Sequence, residues 1–573
     1  MKYKHLLIYL IISSLLLVLF IPKLKSQINT FENFFFSIVS FISIVVYLFT
    51  FRKLYRTWVR FETLFLIGFI IVHFQIPFLY SFDIQPSNPY YVWVNKQVVN
   101  FATWLSAFSI HLWMIGSVIA TIKSINSKKE FNSSGNQYDI KKLDYILLFS
   151  FLGFFGLAGG ALLKGAHDGM GSWGEGASYF MILLRVSIYF RIFIFFKSLH
   201  KITLSNIIKG NIIFLSILLL YILTFLFVGD RGPFMQIVIV IALCFGVFIK
   251  RISLGSLLLL IITGALLLSI IGLGRSSEDA NIFEVGLSKY QSSKSNATEE
   301  LATSVRIMYR ALSNFPSNYS YLYGLQFVIG ILGIIPFASS LFISTFNVPT
   351  EFTASSRLFT FIGQGRNSTY GEGTEIISDI YINFGILGVF FFMFLYGYLT
   401  SKISFNALKK HSDKLFLILI VLSSTAININ RAQFLSPVKD IVYFDSLKVF
   451  ENFNMAKEMH HNGQIEINKR KKIIDSLKFE INKASAPDKK KLLSSILYSQ
   501  EEELNMFSDS FIHIESSKIW KRIDQYGEEF TKLNDYEIII GSQSSSGTIY
   551  GKDTRNITDE FIAFINNRYE GNP

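Results

Sequence analysis

The chain is predicted to be an all-α polytopic membrane protein with a soluble C-terminal tail, and three observations lead there. Hydrophobic residues make up 51% of its 573 residues, with a mean hydropathy of +0.41, above the roughly 45–50% usual in soluble domains. Nearly uncharged stretches of about 18 residues or more, the length that crosses a hydrocarbon core, recur from the N-terminus to about Ile427. Beyond Lys439 they stop.

Taken in order, the runs read as spans are His5–Pro22, Phe34–Phe51, Thr63–Tyr80, Phe101–Ile122, Tyr145–Leu163, Tyr179–Phe196, Ile212–Val228, Phe234–Ile249, Ser256–Leu273, Ile380–Thr400 and the short Leu415–Ile427. The first is read as uncleaved, because no small-x-small site follows it and Lys23 and Lys25 come at once. Net charge is +13, but the cations lie mostly in connectors, so the positive-inside rule explains them better than nucleic acid does. With a cytoplasmic N-terminus, alternate connectors should be basic. They carry Arg52/Lys53/Arg56/Arg60, Lys123/Lys128/Lys129/Lys141/Lys142, Lys197/Lys201/Lys209, Lys250/Arg251 and Lys402/Lys409/Lys410/Lys414. The alternation places the tail outside the cytoplasm, and makes residues 274–379 one long outer loop. Leu325–Ser344 fits as a re-entrant segment, interrupted by Gly330, Gly333 and Pro336.

The residues that could carry chemistry gather on the outer side. Gly229-Asp230-Arg231-Gly232-Pro233 is a tight turn with an arginine at its apex, and a guanidinium presents a planar fork to phosphate oxygens. A plain hairpin turn with Arg231 paired to Asp230 accounts for it equally well. Arg275 ends the ninth run, while Arg306 and Arg310 stand four apart on a predicted helix over Glu299–Leu312. Arg366 follows in Gly365-Arg366-Asn367, before Gly371-Glu372-Gly373-Thr374-Glu375 and Asp379. Glu375 and Asp379 share a face at a helix start, where either could act as a general base; capping of the helix is the competing explanation. Arg185 lies inside the sixth run, where a charge is costly and commonly functional, although snorkelling is open to it. His73 and His111 stand alone in apolar runs and read as satisfied core residues, so no metal is expected. The one cysteine, Cys244, excludes an internal disulfide framework.

The order of these features resembles the Wzy-type O-antigen polymerases over about residues 1–410, down to Asp-x-Tyr-x-Asn-Phe-Gly-x-x-Gly at Asp379 to Gly388. That resemblance implies a GT-C-like membrane fold in the bacterial inner membrane. It also implies a metal-independent glycosyltransferase that needs no cofactor and polymerises undecaprenyl-pyrophosphate-linked repeat units at the periplasmic face. Arg231, Arg275, Arg306, Arg310, Arg366 and Arg185 would then bind pyrophosphate, and Glu375 or Asp379 would be the base. An O-antigen ligase, a lipid-linked glycan transporter and a non-enzymatic anchor for the tail stay open as alternatives.

Residues 411–438 form the final span and a linker. The tail, about 439–571, resembles the Skp (OmpH-like) periplasmic chaperones in Ile441-Val442-Tyr443-Phe444-Asp445, Tyr536–Gly541, Thr548–Gly551 and Asn556–Asp559. This implies an α+β domain on a long helical hairpin, assembled as a trimer. The residues agree with a hairpin, since the polar, helix-prone stretch between Phe450 and Leu533 has one proline, Pro487, near its middle. The tail could also be a simple oligomerisation stalk, or the chain a fusion in which the polymerase half is truncated and inactive.

Overall fold

The computed structural model describes residues 2–55, 57–127, 140–159, 177–199, 210–228, 231–274, 282–292, 298–333, 338–365, 368, 370–436, 454–483, 489–490, 492–504, 522, 526 and 566–568. Among these the structure is helical throughout, with no strand. Two compact units emerge, one of residues 1–333 and 337–441, the other of residues 334–336 and 442–573.

In the first unit, each of the eleven apolar runs carries a helix. Six helices among the described residues are long and apolar enough to cross a membrane: Lys2–Leu19, Thr30–Phe51, Phe61–Tyr80, Lys96–Asn126, Gly232–Ile249 and Ile376–Lys409. The remaining runs give Ile140–Ala158, Ala177–Ser198, Ile212–Val228, Leu254–Gly274 and the 12-residue Asp413–Ser424. Leu15, Leu19, Leu259 and Leu387 are all exposed on their helices, as expected of side chains that lipid would cover.

The centre of the unit is the crossing of Val99–Asn126 with Ile376–Lys409. In lipid there is little hydrophobic drive between helices, so close approach depends on small residues. Here Gly116 and Gly397 let the backbones meet: a Cβ on Gly116 would lie 2.2 Å from the carbonyl oxygen of Phe394, and one on Gly397 2.0 Å from that of Trp113. Ser401 Oγ donates to Ser117 Oγ at 2.6 Å beside this contact, and Ser117 also meets Tyr47 Oη at 2.5 Å.

Two local departures shape the end of the unit where the long loop folds. The third span widens into a π-helix over Ile70–Phe74, a device that re-aims side chains and recurs at functional sites. The Ile376–Lys409 helix kinks at Gly385, which adopts φ 66° and ψ −166°. That left-handed value suits glycine, and Ile382 O accepts the amide of Leu322 at 2.9 Å beside the kink.

The long loop departs from its sequence reading in one place. The stretch predicted as one helix over Glu299–Leu312 is two, Glu299–Ala302 and Val305–Asn314. Leu325–Ser344 is also two short helices, Leu325–Leu332 and Ala338–Thr345, each too short to cross a bilayer.

In the second unit, Asn454–Lys483 is a 30-residue helix and 492–504 is helical. Lys478 Nζ pairs with Glu501 Oε1 at 2.8 Å, which sets these arms side by side. Pro487 and all the segments expected to be strands lie outside the described residues.

Candidate functional site

The site is built on Val305–Asn314, whose first turn and middle carry Arg306 and Arg310 on one face. Both reach the same carboxylate. Arg306 Nη2 donates to Glu372 Oε2 at 2.5 Å and to the Glu372 carbonyl at 3.0 Å, while Arg310 Nη1 lies 3.1 Å from Oε1. All three side chains are nearly or fully buried. One carboxylate between two guanidiniums leaves a net positive charge in a low-dielectric place, a composition that suits an anion.

The carboxylate is fixed by its surroundings. Glu372 N–H donates to Thr360 Oγ1 at 2.9 Å, and Gln364 Nε2 donates to Glu372 Oε1 at 3.3 Å, both from the Ser355–Gln364 helix. That helix approaches so closely that a Cβ on Gly363 would sit 1.7 Å from Arg310 Nη1. On the other side the Arg306 guanidinium lies over the Tyr91 ring, 4.1 Å from its centroid. Burial lowers the Arg306 pKa and raises that of Tyr91, in each case against the pull of the other member of the pair.

Three residues after Glu372, Glu375 is the N-cap of the long helix. It accepts the amides of Ile377 at 2.8 Å and Ser378 at 2.5 Å, and the Ser378 hydroxyl. Capping is therefore a real duty of this residue. It is not the whole of its environment. Burial pushes its carboxyl up to about 7, and His73 Nε2 lies 3.6 Å from Glu375 Oε2. The π-helix carries His73 to this position, its ring centroid 4.2 Å from that of Phe69. Among the described residues neither ring nitrogen of His73 has a hydrogen-bond partner. The two histidines therefore differ: His111 is a satisfied core residue, bonded to Ala107 O at 2.7 Å and Ser43 Oγ at 2.9 Å, but His73 is not.

Asp379, one turn further on, accepts the amide of Phe434 at 2.9 Å and so ties the chain after the last helix to the site. Within the motif that it opens, Tyr381 Oη donates to Phe315 O at 3.0 Å and Asn383 Nδ2 to Gln326 Oε1 at 3.3 Å. The motif thus docks the helices of the long loop onto the start of the long helix.

Of the residues singled out in the sequence, the structure brings Arg306 and Arg310 together on Glu372, three positions before Glu375, and sets Asp379 one turn after Glu375. Arg231 begins the Arg231–Cys244 helix, and Arg185 lies on Ala177–Ser198, which packs against Ile140–Ala158 and Arg231–Cys244. Arg275 and Arg366 fall outside the described residues. Sequence reasoning missed Glu372 as the shared partner and His73 as the neighbour of Glu375. Among the described residues no group of three or more His, Cys, Asp or Glu side chains is placed to hold a metal ion.

These features define a polytopic helical membrane protein with a buried cationic site at the mouth of its spans. The family model of the O-antigen polysaccharide polymerase Wzy matches residues 6–450, and the chain belongs to that family. The match passes through Asp413–Ser424 and leaves most of the second unit outside it. No curated protein and no solved structure matches the chain.

Proposed function

We propose that the chain joins lipid-linked oligosaccharide repeat units into an O-antigen or capsule-type polysaccharide, at the periplasmic face of a bacterial inner membrane crossed about eleven times. Family membership supports the polymerase activity, and the observation that carries the site assignment is the convergence of Arg306 and Arg310 on Glu372.

In the reaction, an acceptor hydroxyl attacks the anomeric carbon of the growing chain. A carbon–oxygen bond forms there as the bond to undecaprenyl pyrophosphate breaks, and the pyrophosphate leaves with the electron pair. Arg306 and Arg310 neutralise the charge that develops on it, a contribution that grows as the bond lengthens. Arg231, Arg275, Arg366 and Arg185 are further candidates for the same anion. The proton of the acceptor goes to Glu375, whose carboxyl titrates near neutrality. Asp379 is the second candidate for the base, and its carboxylate accepts the Phe434 amide. To take the proton, Glu375 gives up the Ser378 hydroxyl.

The tail extends this reading. Its paired helical arms present polar, charged faces, too thin to bury a core alone, and suit self-association, with a trimer as the expected state. A Skp-like fold for residues 439–571 rests on the motifs quoted above.

The test is a glycan ladder gel from cells carrying Arg306→Ala, Arg310→Ala or Arg231→Ala in the full-length chain. The proposal expects single-repeat-capped lipid to persist while longer rungs vanish. Normal ladders from the Arg306→Ala and Arg310→Ala proteins, at wild-type abundance, would remove the pyrophosphate assignment.

A further inference from the structure

At the opposite end of the Ile376–Lys409 helix from Glu375 lies a second cationic site that the polymerase reaction does not use. A cavity of about 680 Å³ is lined by Arg52, Lys53, Arg251 and Lys409, with Tyr55 and Trp58 among its walls. With Phe49, Leu54 and Leu254, the described lining has four cations and no carboxylate.

Three helix ends converge here. Arg52 caps Thr30–Phe51, Arg251 follows the π-helical turn Phe245–Ile249, and Lys409 closes Ile376–Lys409. The connectors are pinned together. Trp58 N–H donates to Ile252 O at 3.3 Å, and a Cβ on Gly246 would lie 2.5 Å from Thr57 Oγ1. Behind the wall, the Arg60 guanidinium covers the Tyr55 ring at 4.7 Å, and buried Glu62 interacts electrostatically with Arg60. Among the described residues no acid lines the cavity beside the four outer cations.

Like charges held around one concavity repel unless an anion sits between them. The four cationic residues are exposed, while Trp58 and Tyr55 are buried. Phe49 is 50% exposed, and the cavity's apolar side is continuous with the exposed faces of Thr30–Phe51. A ligand that fills both halves has phosphate oxygens at one end and hydrocarbon at the other. Basic pockets at helix ends, rimmed by aromatic side chains, hold anionic lipid headgroups by this pairing.

We propose that this cavity binds the phosphodiester headgroup of an anionic phospholipid in the leaflet opposite the glycan site. Cardiolipin and phosphatidylglycerol supply that chemistry, and inorganic phosphate supplies the anion alone. The lipid is favoured because the cavity's apolar wall would be left without a partner by a soluble ion.

The experiment is native mass spectrometry of the purified full-length protein in detergent, supplied in turn with cardiolipin, phosphatidylcholine and inorganic phosphate. Retention of cardiolipin over phosphatidylcholine, falling about a hundredfold in the triple variant Arg52→Gln/Arg251→Gln/Lys409→Gln, is the expected result, at roughly fivefold per juxtamembrane cation. The pair Lys53→Gln/Lys409→Gln, at exposed positions, should lose an intermediate amount and covers the case in which the triple variant does not fold. Equal retention of both lipids, unchanged cardiolipin retention in the variants, or phosphate displacing cardiolipin at equal concentration would each overturn the proposal.

Discussion

Glu375 Oε2 lies 3.6 Å from His73 Nε2, and both side chains are completely buried. The carboxylate comes from the cap of one span and the imidazole from a π-helical turn of another, 302 positions apart by residue number (375 − 73). A buried acid whose carboxyl is pushed up to about 7 favours its protonated form on folding, against an ordinary value of 4.5. Its contribution to stability is therefore complete below about pH 4.5 and is lost as pH rises through about 7.

The first prediction follows from that sign. Between about pH 5 and about pH 8 the thermal stability of the purified protein should fall more steeply in the wild type than in Glu375→Gln, which cannot ionise. Polymerisation should rise with pH through about 7 and be lost in Glu375→Gln. A stability profile that is the same in both proteins would place the titration elsewhere.

Glu372 holds two buried guanidiniums, so its removal should cost more than an exposed pair would. Glu372→Ala is expected to destabilise by about 3–5 kcal/mol, because two buried charges lose their partner. Adding Arg306→Ala should restore part of this, with a coupling of about 1–3 kcal/mol in denaturant titrations. Strict additivity would mean that the pair contributes nothing to the folded site.

Gly363 tests the positioning of Arg310 separately. A methyl group there would sit 1.7 Å from Arg310 Nη1, so Gly363→Ala must displace the guanidinium. Ladder formation should drop sharply, with a stability loss of about 1–3 kcal/mol. In an Arg310→Ala background the same substitution should cost little more stability.

The helix crossing offers a paired test by thermal unfolding in detergent. Gly397→Ala meets backbone at 2.0 Å and cannot be relieved by a side-chain rotation, so it should lower stability by about 1–3 kcal/mol or more. Gly156→Ala, with nothing within 4 Å, should be neutral or stabilising by about 0.4–1 kcal/mol.

Much of this was legible in the residues, because apolar run length is a strong signal and a helix at each run is what it predicts. Arg306 and Arg310 were legible for the same reason, since a spacing of four fixes a shared face. Their partner was not. Glu372 is followed by Gly373, at φ 80°, and sits in a non-helical connector, where spacing carries no information about direction. His73 was misjudged because it was read from its own apolar run, and its carboxylate neighbour Glu375 lies on a different span, where spacing along the run carries no information. The motif from Asp379 to Gly388 was read for chemistry, yet its Tyr381, Asn383 and Gly385 spend their polar groups and backbone freedom on docking the outer loop.

The most direct measurement is a single-turnover reaction of purified full-length protein with undecaprenyl-pyrophosphate-linked repeat units, following free undecaprenyl pyrophosphate and dimeric glycan together. Wild type should release one pyrophosphate lipid per new glycosidic bond, and Arg306→Ala should slow both by about 10²–10³-fold while remaining folded. Equal rates for the two proteins, or glycan movement with no pyrophosphate lipid released, would contradict a cationic site built on Arg306, Arg310 and Glu372.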